Sequence, residues 1–184
     1  MKVKSFFLGI LAAFGALILE IIISVFFPQT ASAPGGLMIF LILTVLIEEL
    51  AKGFFIYRNS LELKNSQEIF SAALLVGIGF SFTETIFHFM NPISGNQEIV
   101  VLGLLGAFII HLTTSGTMGY YLGRNPEKEF SSFLKIILLT LVIHFTYNGL
   151  IIYNWNYRII FIYSALLVYT LPLFIFLLKK RKNA

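Results

Sequence analysis

Glutamate and histidine can take a proton from water, return one to a leaving group, or hold a divalent metal. In this chain they occur where such side chains are costly. Glu20, Glu48, Glu49, Glu84, His88, His111 and His144 all fall inside long apolar runs. A charged group near the centre of a bilayer costs about 2.5–3.5 kcal/mol on insertion scales, so such groups face the inside of a helix bundle and often mark function. Any one of them alone reads most simply as structural. Two histidines and several glutamates on four consecutive runs read as one convergent site.

Their spacing turns them inward together, because residues three or four apart share a helix face. One run aligns Thr44, Glu48 and Lys52, and the next aligns Gly77, Ser81, Glu84, Thr85 and His88. The following two align Gly103, Ala107, His111 and Thr114, then Thr140, His144 and Asn148. Small residues in these stripes permit close backbone approach, so the stripes should meet at the bundle centre. Other polar positions have plainer readings. Glu20 shares a face with Gly9, Ala13 and Ala16 and reads as a neutral, hydrogen-bonded packing residue. His88 reads as orienting or interfacial. Lys52 reads either as the ion-pair partner of the paired glutamates or as a lysine snorkelling to its helix end. Glu49 sits ~100° around the helix from Glu48 and should matter less to catalysis if its role is structural.

The elements that must carry these residues follow from composition. Of 184 residues, 58% are hydrophobic and only 12% charged, with mean hydropathy +0.88; lipid accepts that surface and water does not. Six segments reach the ~20 apolar residues that a spanning helix needs: 5–27, 36–57, 69–90, 99–122, 130–153 and 158–178. Lys2, Lys4, Lys52, Arg58, Lys64, Arg124, Lys128, Lys135 and the tail Lys179, Lys180, Arg181 and Lys182 fall on one side of a six-span arrangement, against Arg158 on the other. Basic residues are retained in the cytoplasm. The expectation is therefore an all-α, polytopic helical bundle of six transmembrane helices, N-in and C-in, forming a single domain over 1–184 in the cell membrane. The first run, ~23 residues with Glu20 inside it, is too long for a signal peptide.

Composition also excludes functions. With no cysteine there is no disulfide framework, thiolate metal site or cysteine nucleophile. Although the net charge is +4, the basic residues lie at helix ends rather than in a patch, so no nucleic acid is expected.

Taken in order, Glu48-Glu49-x-x-Lys52, Phe80-x-x-x-Glu84, His111 and His144-x-x-x-Asn148 resemble the PrsW family of intramembrane proteases. More distantly, they are similar to the CAAX-processing and bacteriocin-processing superfamily. The stretches IEELAKG and GIGFSFTET carry the closest likeness. The resemblance implies an endopeptidase acting on a membrane-anchored protein or precursor peptide, with site residues Glu48, Glu49, Glu84, His111, His144 and Asn148. In that scheme Glu48 activates water, Glu84 and His111 position the water or supply a proton, and His144 with Asn148 stabilise the oxyanion. Metal-free catalysis needs no cofactor and none is expected. Zinc is possible, since two glutamates and two histidines suit it, but without an HExxH motif the ligands would come from separate helices. Two other classes also use buried polar bundles: a proton- or cation-coupled transporter, and a non-catalytic membrane scaffold.

Overall fold

The computed structural model describes residues 2–26, 34–90, 97–125, 127 and 129–152. Among them the chain is all-α, with helices α1 (Lys2–Phe26), α2 (Pro34–Leu61), α3 (Ser66–Met90), α4 (Gln97–Arg124) and α5 (Phe130–Ile152). These overlie the first five expected spans to within four residues at every end. The sixth expected span, 158–178, lies outside the described residues. Among the described residues three segments are long and apolar enough to cross a bilayer by themselves: Lys2–Phe26, Ser66–Met90 and Phe130–Leu150. By contrast, α2 and α4 hold much of the buried polar side chain, including Glu49, Lys52, His111 and Thr113 to Ser115.

Helix α1 shows what lipid as solvent does to a helix. Its buried face is Ser5, Gly9, Ala12, Ala13 and Ala16, while Phe7, Leu11, Phe14, Ile18, Ile22 and Phe26 point outward. Bulky side chains gain little by leaving lipid for protein, so the seam is made of small residues that let backbones touch. The α1–α3 contact depends on this. A side chain on Gly9 would overlap the Val76 carbonyl oxygen, and one on Gly79 would overlap the carbonyl oxygen of Phe6. Helices crossing in backbone contact at one point separate along their length. Beyond the Gly9–Gly79 crossing the space between α1 and α3 widens into a cleft at Glu20 and His88.

Side-chain pairs give the helix directions. Gly9 meets Val76 and Phe80 and Phe14 meets Phe87, so α1 and α3 run parallel. Ser5 accepts from Asn59 at 2.9 Å, and the exposed Lys4 reaches Glu62, so α2 returns antiparallel to α1. Gly53 packs on Phe133 and Ile137 while Glu49 meets His144, which makes α2 and α5 antiparallel. As a result α2 is packed against all four other described helices. The start of α3 is fixed by an Asn65 cap, whose Oδ1 accepts the Gln67 backbone N–H at 2.9 Å, with Glu68 in the first turn.

Candidate active site

Because α2 is enclosed, two adjacent positions on it, Glu48 and Glu49, both face protein. Glu49 is fully buried, and its Oε1 accepts from Lys52 Nζ at 2.5 Å and from His144 Nδ1 at 2.7 Å. Lys52 is itself fully buried and also contacts His111 Nδ1 at 2.9 Å and Thr114 Oγ1 at 3.1 Å. Of the two readings of Lys52, the ion pair is the one observed. Lys52 does not snorkel, because three acceptors from α2 and α4 satisfy its three N–H groups inside the bundle. Glu49 is the ion-pair partner of Lys52 and lies at the centre of the network. The stripe argument assumes one inward face, which holds for α1 and fails for the central helix.

Glu48 projects differently. Its Oε2 is 3.5 Å from His144 Nε2 and is buried without a hydrogen-bond partner. Glu84, on α3, is 27% exposed and bonds through Oε2 to His111 Nε2. Gly77 makes that bond possible: a Cβ there would sit 2.9 Å from the His111 carbonyl oxygen and the Ser115 side chain, pushing α4 off α3. The His111 and His144 rings meet edge-on, with centroids 5.0 Å apart at 87°, and Phe80 covers His111 with its centroid at 4.8 Å. Glu48, Glu84 and Glu20 all line the cleft between α1 and α3, a space of about 240 Å³ walled by Ala13, Ala16, Phe80 and Phe87.

Five of the six site residues expected from sequence therefore come together: Glu48, Glu49, Glu84, His111 and His144. Asn148 lies one turn beyond His144, partly buried, and among the described residues its side chain is not joined to the cluster. His88 is 44% exposed, with its Nε2 3.7 Å from Glu84 Oε1, in keeping with an orienting position at the rim. Lys52 and Thr114, which the sequence reading left outside the set of site residues, belong to the network. Lys52 is three residues from Glu49, the spacing behind its ion-pair reading, and the structure pairs the two. Glu20 shares the cleft wall with Ala13 and Ala16 and is hydrogen-bonded to Glu48, as its reading from the sequence has it; what the sequence leaves open is that this face borders the site.

Glu48, His111 and His144 each offer one donor atom, all within 4.8 Å of one another. Two imidazoles and a carboxylate are a ligand set of catalytic zinc, whose neighbouring donors stand about 3.3 Å apart in tetrahedral geometry. The 3.5 Å between His144 Nε2 and Glu48 Oε2 already has that spacing, and Glu49 holds the far nitrogen of His144 as second-sphere carboxylates do. His111 Nε2 is bonded to Glu84 and would have to give up that bond. The donor chemistry fits a metal of the zinc type.

Membrane-crossing helices around a buried cluster of carboxylates and imidazoles define an intramembrane hydrolase. Comparison with known families agrees: the description "PrsW family intramembrane metalloprotease" matches residues 1–177, and the chain belongs to that family. No curated protein and no solved structure matches it.

Proposed function

We propose that this chain hydrolyses a peptide bond in a membrane-anchored protein or precursor peptide, and that Glu48 takes the proton from the attacking water. Glu48 Oε2 carries the reading. A buried carboxylate oxygen without a donor costs roughly 1–3 kcal/mol or more, and here it sits at a cleft, 3.5 Å from an imidazole nitrogen. Nothing in helix packing requires that arrangement, whereas a site that receives a water does.

In the reaction the water oxygen bonds to the carbonyl carbon while its proton passes to Glu48. Negative charge gathers on the carbonyl oxygen, where the Asn148 amide, one turn from His144, is the available donor. The C–N bond then breaks as the amine nitrogen takes a proton, delivered by Glu84 on the cleft wall with His111 bonded to it. Zinc, held by Glu48, His111 and His144, would supply Lewis acidity and make water easier to deprotonate. Comparing membrane proteomes of cells carrying wild type or Glu48→Gln tests the function: a membrane-anchored protein should accumulate uncut in the variant. Identical proteomes would count against proteolysis.

The same reading keeps one domain with six spans and both ends in the cytoplasm, based on the distribution of Lys and Arg. The cleft mouth at Glu20 and His88 lies toward the C-terminal ends of α1 and α3, which in this orientation is the outer side. Reporters fused after Leu61 and Asn125 should read cytoplasmic and one after Ser94 external. A cysteine at Leu17 or Phe87, both lining the cleft, should react with a membrane-impermeant thiol reagent added outside intact cells. External signals at the first two fusions would remove the six-span arrangement.

A further inference from the structure

We propose that the Glu49–Lys52 ion pair is a positioning device that holds the two imidazoles in opposite tautomers: His144 turns a bare Nε2 toward Glu48, and His111 turns an Nε2–H toward Glu84. The inference deepens the proposed hydrolytic reading of this site and depends on it for its functional meaning, though not for its geometry.

Hydrogen-bond roles fix the assignment. An ammonium has three hydrogens and no lone pair, and Lys52 Nζ has three acceptors: Glu49 Oε1 at 2.5 Å, His111 Nδ1 at 2.9 Å and Thr114 Oγ1 at 3.1 Å. A ring nitrogen that accepts from an ammonium carries no hydrogen, so neutral His111 bears its hydrogen on Nε2. That atom meets a carboxylate oxygen of Glu84, which can only accept. The other ring is determined from the opposite direction. Glu49 Oε1 can only accept, so His144 Nδ1, 2.7 Å away, must donate to it. His144 Nε2 then holds a lone pair facing Glu48 Oε2 at 3.5 Å.

Two acceptors now face each other across that gap, and Glu48 Oε2 has no other partner. Such a gap is closed by a hydrogen carried on Glu48 Oε2 and shared with His144, by a water donating to both atoms, or by a cation ligated by both. Were His144 to carry its hydrogen on Nε2, it would donate to Glu48 and fill the gap itself. The ion pair prevents this and gives neighbouring, edge-on rings different jobs. Phe80, whose centroid lies 5.1 Å from Lys52 Nζ and 4.8 Å from the His111 ring, keeps water off the pair, and a dry environment strengthens each bond.

The test is NMR of full-length protein in lipid bilayers with 15N-labelled imidazoles, after chelator treatment, assigning signals through single His→Gln variants. His144 should show Nδ1–H with a bare Nε2, and His111 the reverse. The same tautomer on both rings, or the two interchanged, would overturn the proposal. Glu49→Gln keeps an oxygen acceptor and should preserve the His144 signature. The paired change Glu49→Leu with Lys52→Met removes both charges together, so neither is left buried alone. It should release His144 into a mixture of tautomers, while His111, still on Glu84, keeps its Nε2–H. An unchanged His144 spectrum in that double variant would equally sink the idea. The two readings fail separately: absence of an uncut protein in the proteomic comparison defeats the hydrolytic function, and wrong tautomers defeat the positioning role.

Discussion

Glu48→Gln should lower turnover by about 10²–10⁴-fold, the usual contribution of a positioned proton acceptor, while the protein stays in the membrane at wild-type abundance. The substitution preserves shape and removes the negative charge, and with it the ability to take a proton or to serve as an anionic metal ligand. Folding should be spared because Glu48 Oε2 has no hydrogen-bond partner to lose. The change also removes one of three carboxyl groups, with Glu20 and Glu84, that share the cleft. Turnover of a membrane-anchored substrate in proteoliposomes, set beside thermal unfolding of the same preparation, separates the two effects. Wild-type turnover in the variant would eliminate Glu48 as the proton acceptor.

Lys52→Met should destabilise the bundle by about 3–5 kcal/mol, the cost of leaving one member of a buried ion pair without its partner. A surface lysine would cost a small fraction of that. Removing the ammonium deprives Glu49 Oε1, His111 Nδ1 and Thr114 Oγ1 of a donor at once. The double variant with Glu49→Leu should recover most of the loss, because no uncompensated charge remains inside. Reversible unfolding in bilayers would measure both. A single variant as stable as wild type would mean that Lys52 is not held by these three acceptors.

The sequence by itself determined that lipid is the solvent, where the five described helices lie, and which polar residues converge. Those properties are local. Hydropathy over ~20 residues selects a span, and a 3.6-residue period selects a face, so Glu48, Glu84, His111 and His144 were legible as one inward set. Tertiary structure decided what each polar atom faces. Whether Lys52 serves Glu48, Glu49 or the membrane surface depended on α2 being enclosed by four other helices, which no window of α2 encodes. Glu20 became a cleft residue because α1 and α3 touch at Gly9 and Gly79 and part beyond. The two histidines look equivalent in the sequence. They differ because one ring nitrogen meets an ammonium from α2 and the other a carboxylate, and hydrogen-bond polarity of that kind exists only once the helices are packed.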